Sequence, residues 1–206
     1  MKTLTLFISM NLLTACGASD NSGTNLGSNS SKLPIETLDL KGSWQEPCDI
    51  DIDDNNSRQS VETYSDAGIS IAVDYYSDSD CTFEDFSIKF TASINYTGEK
   101  ILSSGQTVKK VGAIIDTKNV LVLLIDENLK NSYINKNICS RSDWNSGQYI
   151  NISNCYEFND LIEDLKAPLK DIYYVDGNRV YWGNSERAND ENGFPTELKS
   201  TPNTKI

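Results

Sequence analysis

The sequence predicts an all-β protein, an antiparallel β-barrel or sandwich of about eight strands with at most one short helix and with disulfide bonds between its strands. Three observations support this fold class. Apolar and polar residues alternate along the middle of the chain, short turn sequences separate these segments, and apart from one short segment no helical pattern lies between consecutive strands. The third observation argues against a parallel sheet, because parallel strands need long crossover connections that are usually helical.

Eight segments are predicted to be strands. The clearest is 86–96, where apolar and polar residues alternate without interruption, and 69–76 shows the same period before it. Residues 97–99 contain glycine and are expected to form the following turn. Residues 120–125 are entirely apolar, which is typical of a strand covered on both faces, and we expect them to form a hairpin with the preceding strand. In chain order the predicted strands are one opening at 40–44, then 69–76, 86–96, 107–115, 120–125, 148–152, 171–175 and 179–183.

One helix is predicted at 159–166, because Leu161, Ile162 and Leu165 have helical spacing. The chain from residue 184 onward is polar and contains glycine and proline. We expect this last segment to form an irregular arm.

Four cysteines in the body of the chain predict disulfide bonds, because an even number of cysteines in an exported protein is typical of them. Four cysteines allow three pairings. We favour Cys48–Cys81 and Cys139–Cys155, since each pair brackets neighbouring predicted strands. A four-thiolate zinc site is the alternative, although the chain has no Cys-x-x-Cys spacing and no histidine.

The first sixteen residues have the pattern of an export signal, with Lys2 ahead of a ten-residue apolar run, then small residues and Cys16. The apolar run is about half as long as a membrane-spanning helix requires. The segment Leu13-Thr14-Ala15-Cys16 resembles the lipobox of bacterial lipoproteins. That resemblance implies removal of residues 1–15 as a signal peptide, acylation of Cys16 and, with Gly17 next, anchoring at the outer membrane. A plain secretory signal with an unmodified Cys16 is the alternative.

Composition divides the remainder into a linker and one domain. Residues 16–32 are rich in Gly, Ser and Asn, so we expect a flexible tether behind the lipidated cysteine. Residues 33–206 have the length of a single domain. With 30 acidic and 18 basic residues the net charge is −12. This charge argues against nucleic acid as a partner, because phosphate-binding proteins are basic.

The segment Gly42-Ser43-Trp44 resembles the opening motif of lipocalin-like β-barrels. In that family the tryptophan closes one end of the barrel and often stacks on an arginine from a late strand. The resemblance implies that Trp44 closes an end of this barrel and that Arg179 is its counterpart. The alternative is an ordinary core tryptophan beside a disulfide.

One acidic run has the spacing of a calcium-binding loop, and its possible ligands are Asp51, Asp53, Asn55, Ser57 and Glu62. The run departs from the pattern because Asn56 stands where glycine is expected and no helix flanks it. An acidic hairpin loop without metal is the preferred interpretation. We therefore expect no metal site and no cofactor.

The absence of histidine excludes Ser-His-Asp and Cys-His catalysis. Paired carboxylates could still act as acid and base, but nothing in the sequence marks a pair as buried, so we assign no catalytic residue. Carboxylates clustered in a cleft would favour the enzyme hypothesis.

The first functional hypothesis is a lipid-anchored binding module of the cell envelope, attached to the membrane through its acyl chains. Its ligand would be a small apolar molecule in a cavity lined by residues such as Phe86, Phe90 and Ile94, or an envelope protein at the barrel rim. The alternative is an acidic inhibitor of a cationic hydrolase such as lysozyme. An envelope enzyme is the third hypothesis.

Overall fold

The computed structural model describes residues 39–51, 56–185 and 187–206. The two helices are α1 (Glu127–Asn135) and α2 (Asn159–Leu165). None of the helices in these ranges is long and apolar enough to cross a membrane. The strands are β1 (Gly42–Gln45), β2 (Asp49–Asp51), β3 (Asn56–Ser65), β4 (Gly68–Tyr76), β5 (Glu84–Ile101), β6 (Thr107–Ile115), β7 (Leu121–Leu124), β8 (Ile150–Asn151), β9 (Leu169–Asp176), β10 (Arg179–Trp182) and β11 (Asn203–Lys205).

Eight of the strands close into an antiparallel barrel, which confirms the predicted fold class and decides between barrel and sandwich. The barrel strands are β1, β3, β4, β5, β6, β9, β10 and β11, and each pairs with the next one in this order. β11 pairs with both β10 and β1, which completes the ring. Alternate residues along each barrel strand therefore point into one shared interior.

A branch of two strands and two helices leaves the barrel at β5. The first half of β5 pairs with β7 and the second half pairs with β6, both along the edge opposite β4. The predicted hairpin between β6 and β7 is therefore wrong. Asp116 bends the chain between the two strands, since its carboxylate accepts hydrogen bonds from the Lys118 backbone N–H and the Asn119 amide. The other edge of β7, away from β5, pairs with β8.

The branch contains one helix more than the sequence analysis predicted. α2 lies where it was expected, but α1 also forms, capped by Asp126, whose carboxylate accepts the Leu129 backbone N–H at 2.7 Å. Tyr133 of α1 packs edge-on against Trp144, with ring centroids 5.0 Å apart. The helices thus cover the outer side of β7 with an aromatic cluster of their own.

Both favoured disulfides are confirmed. Cys48–Cys81 joins the start of β2 to the turn between β4 and β5, and Cys139–Cys155 joins the segments that follow α1 and β8. The thiols of all four residues are thereby used, so the zinc alternative is wrong. The first disulfide braces one end of the barrel wall and the second braces the branch.

Three further differences concern strand limits. β3 was not predicted, and β11 lies in the segment expected to be an irregular arm. Residues 97–99 do not turn the chain, because β5 continues through a bulge between Tyr96 and Gly98 to Ile101. The turn lies at 102–106 instead, where Leu102 and Gln106 share a backbone hydrogen bond.

Candidate functional site

Trp44 is buried on β1, on the same face of the sheet as Glu62, with which it pairs. Its side chain is 1% exposed and its indole N–H donates to the Leu40 carbonyl at 2.6 Å. The cation above its ring is Lys205 of β11, with Nζ 5.3 Å from the ring centroid. The expected partner, Arg179, is exposed on β10, so the predicted stacking of Arg179 on Trp44 is wrong.

Beyond Trp44 the interior holds a cavity of about 200 Å³. An engineered cavity of about 150 Å³ can hold benzene, so this one has room for a somewhat larger molecule. Of the residues that the sequence analysis named, Phe90 and Ile94 line the cavity, whereas Phe86 stacks on Tyr75 with ring centroids 4.5 Å apart. The apolar lining comes mostly from β4, β5 and β6 and consists of Ile69, Ile71, Val73, Phe90, Ile94, Val111, Ala113, Ile115 and Leu169.

The opposite wall of the cavity is polar. β3 contributes four of these residues, because its alternate side chains point inward and are polar. The sequence analysis missed this strand for the same reason, since no apolar alternation marks it. The polar lining consists of Glu46, Arg58, Ser60, Glu62, Tyr64, Lys170, Asp171, Trp182, Ser185, Lys199 and Asn203.

Glu62 is the central acid of the polar wall. The Tyr64 hydroxyl donates a hydrogen bond to Glu62 Oε2 at 2.8 Å. Burial raises the pKa of Glu62 to about 7; the hydrogen bond from Tyr64 lowers it and the charge of Glu46 raises it further. Burial also raises the pKa of Tyr64, so this hydroxyl stays a donor at neutral pH.

Asp171 on β9 is the second buried acid. Its Oδ1 accepts the backbone N–H groups of Ile172 at 2.7 Å and Gly183 at 3.0 Å. Burial raises the pKa of Asp171 to about 7 despite these two hydrogen bonds, and the charge of Glu62 contributes to the rise. The two carboxyl groups therefore interact across the cavity.

Gly183 makes room for this carboxylate. A Cβ at position 183 would lie 2.3 Å from Asp171 Oδ1 and 2.5 Å from Pro195 Cγ. Only a residue without a side chain lets the backbone N–H approach the carboxylate this closely.

The third acid is already neutralised. Glu46 accepts the Ser60 hydroxyl at 2.9 Å and forms an ion pair with Lys199 at 3.3 Å. The Lys199 side chain is 37% exposed, so this side of the cavity faces solvent. In the described part of the chain, neither Glu62 nor Asp171 takes part in an ion pair.

Two aromatic side chains next to these acids have buried polar atoms without a hydrogen-bond partner, namely Trp182 Nε1 and Tyr173 Oη. Trp182 lines the cavity and stacks on Tyr64 with ring centroids 6.2 Å apart. A buried donor without a partner is uncommon in folded proteins.

The structure does not gather the candidate calcium ligands around one point. Ser57 and Glu62 both lie in β3 but on opposite faces, since Glu62 points into the barrel while the Ser57 hydroxyl donates to the Asp78 carbonyl at 2.6 Å. Asp51 belongs to β2, and Asp53 and Asn55 lie outside the described residues.

Among the described residues, one group of thiol and carboxylate side chains is close enough to share a metal ion: Cys139, Cys155 and Glu157. Its two cysteines form a disulfide, so no thiolate is available there.

The predicted lipid-attachment residue Cys16, the predicted signal peptide 1–15 and the predicted linker 16–32 also lie outside the described residues. Comparison with known proteins adds no family, since no protein-family model and no curated protein matches the chain. The functional argument therefore rests on the barrel cavity.

Proposed function

We propose that this protein is a lipid-anchored binding protein of a bacterial cell envelope, which holds a small ligand inside its β-barrel. The observation that carries the proposal is the 200 Å³ cavity between an apolar and a polar wall. A cavity with mostly apolar lining and a few converging polar groups is the usual form of a small-molecule site.

The two walls favour an amphipathic ligand. An apolar body would lie against the residues from β4, β5 and β6, and a polar group would meet β3 and β9. A wholly apolar ligand, one of the two partners that the sequence analysis left open, would leave the polar wall without hydrogen-bond partners and would bind less favourably. Lys199 lines the cavity and is partly exposed, so the ligand would enter on that side.

The location follows from the N-terminal segment. A diacylated or triacylated Cys16 would hold the protein firmly at a membrane, because a single acyl chain gives only marginal membrane binding and two or more give stable anchoring. The linker would then keep the barrel clear of the lipid headgroups.

A direct test measures binding of 2-phenylethanol and n-propylbenzene to the mature protein in detergent, followed by tryptophan fluorescence, since Trp182 lines the cavity. Ala113→Phe would fill the cavity from its wall and should abolish binding. Ile114→Phe is the matched control, because Ile114 is the next residue of β6 and is exposed. Failure of both probes to bind, or equal binding by the two variants, would refute the proposal.

A second candidate function is an envelope hydrolase, and the pairing of Glu62 with Asp171 in one cavity favours it. A carboxyl group with a pKa of about 7 can act as a general acid or base at neutral pH. Hydrolysis of chromogenic glycosides by the wild type, lost in Glu62→Gln and Asp171→Asn, would support this function. No hydrolysis across a panel of such substrates would count against it. The alternative of an acidic lysozyme inhibitor stays a prediction.

A further inference from the structure

We propose that the cavity binds an organic ammonium ion, with the nitrogen between Glu62 and Asp171 and the apolar body against the wall formed by β4, β5 and β6. This inference rests on the proposed function, because it names the class of ligand that the cavity takes.

Unused acceptors point to this ligand. Glu62 uses Oε2 for Tyr64 and Asp171 uses Oδ1 for two backbone N–H groups. Glu62 Oε1 and Asp171 Oδ2 accept no hydrogen bond from the described part of the chain, although both residues line the cavity. A ligand that satisfies both oxygens must bring at least two donors, and an ammonium group brings three and has no competing acceptor.

Charge points the same way. Lys199 forms its ion pair with Glu46, and its charge lowers the pKa values of Glu62 and Asp171 without an ion pair to either of them within the described residues. Buried carboxylates are stable in the ionised form only when they are paired. A ligand cation would supply the missing charge and form short, charge-assisted hydrogen bonds.

The aromatic rings and the apolar wall argue for an organic cation rather than a metal ion. Tyr64 and Trp182 stack beside the carboxylates, and aromatic faces attract ammonium groups. Calcium needs six to eight oxygen ligands, whereas most of this lining is apolar. A metal ion would leave the apolar part of the cavity without a partner.

Binding should depend on pH. Three groups act on the two carboxyls, namely Tyr64 on β3, Glu46 after β1 and Lys199 in the segment before β11, and the charge of Glu62 also acts on Asp171. Arg58 of β3 and Lys170 of β9 are the other charged side chains that line the cavity. Because burial raises the pKa values of Glu62 and Asp171 to about 7, both are largely protonated at pH 5.5 and largely ionised at pH 8.5. An ammonium ligand should therefore bind more tightly at pH 8.5, while a neutral ligand of the same shape should show little change.

The test compares 2-phenylethylamine, 2-phenylethanol and phenylacetate by calorimetry on the mature protein. At pH 8.5 we expect the amine to bind about tenfold to hundredfold more tightly than the alcohol, since hydrogen bonds to charged groups are worth about 1.5–3 kcal/mol. The preference should shrink at pH 5.5, and phenylacetate should bind most weakly. The three ligands give this result on the wild type alone, so the test does not depend on a variant folding.

Variants assign the effect to the two acids. Glu62→Gln and Asp171→Asn should each lose at least tenfold in affinity for the amine and keep the affinity for the alcohol. Asp176→Asn is the matched control, because Asp176 is exposed on the same strand as Asp171. Equal affinity for amine and alcohol at pH 8.5 would overturn the ammonium inference and leave the binding function intact. Absence of binding by all three ligands would overturn both.

Discussion

The stability of Glu62→Gln relative to the wild type is expected to be greater at pH 8 than at pH 5. Glutamine keeps the shape of the side chain and its carbonyl can accept the hydrogen bond from Tyr64. Burial raises the pKa of Glu62 from 4.5 to about 7, so the folded protein binds this proton more tightly than the unfolded chain does. The contribution of Glu62 is therefore most favourable below pH 4.5 and is lost as the pH rises through 7.

The magnitude follows from the same two values. At about 1.36 kcal/mol for each pH unit, the rise from 4.5 to about 7 corresponds to about 3 kcal/mol, most of which develops between pH 5 and pH 8. The melting temperature of a domain of this size changes by about 2–4 °C for each kcal/mol. The difference in melting temperature between Glu62→Gln and wild type should thus shift by about 5–10 °C between the two pH values.

Thermal unfolding followed by circular dichroism at pH 5 and pH 8 measures this shift without added ligand. Asp176→Asn serves as the control, because its carboxylate is exposed and its removal should have the same small effect at both pH values. The reasoning would be refuted if Glu62→Gln differed from wild type by the same amount at pH 5 and pH 8. That result would mean that the Glu62 carboxylate is solvated in the folded protein.

Gly183→Ala should destabilise the protein by about 1–3 kcal/mol, because its Cβ would meet Asp171 Oδ1 at 2.3 Å. Gly112→Ala, whose nearest contact is 3.7 Å away, should be close to neutral, and equal melting temperatures for the two variants would contradict this prediction. Trp44→Phe should cost about 1–3 kcal/mol in urea unfolding, since it leaves a buried carbonyl without its donor; an unchanged midpoint would show that the hydrogen bond contributes nothing. Cys16→Ser should move the protein from the membrane pellet to the soluble fraction, and retention in the pellet would disprove the lipid anchor.

The strands of the apolar wall could be predicted from the sequence, whereas β3 and β11, which contribute to the polar wall, could not. β4, β5 and β6 alternate apolar and polar residues because one face of each meets the hydrocarbon side of the interior. β3 carries polar residues on both faces, because its inner face lines the half of the cavity that holds Glu62 and Tyr64. In β3 the polar residues of the site take the place of the apolar alternation by which strands are recognised in a sequence.

The pairing between strands was the second feature that could not be predicted from the sequence. The pattern located β6 and β7 but could not show that both lie along one edge of β5, because edge choice depends on contacts distant in sequence. β11 has only three residues, and it forms because it pairs with β1 on one side and with β10 on the other. α1 left a weak signal, namely Asp126 as a cap before Leu129 and Tyr133, four residues apart on one helix face.

The disulfides were predictable because local spacing decided them, and each bridge spans neighbouring strands or their connections. The position of Glu62 beside Asp171 was not predictable, since β3 and β9 come together only through the curvature of the closed barrel. The net acidity of the chain argued against nucleic acid but did not show that two acids would lie inside the barrel.

The pairing of β1 with β11 also governs how the molecule folds. Trp44 lies opposite Lys205, so the last seam of the ring joins segments that are very far apart along the chain. Bringing such segments together costs loop entropy before any hydrogen bond offsets it, which makes folding slow compared with that of helical bundles. Until β1 and β11 pair, the backbone N–H and C=O groups along these two strand edges can pair with another molecule. Rapid dilution and low concentration should therefore favour refolding over aggregation.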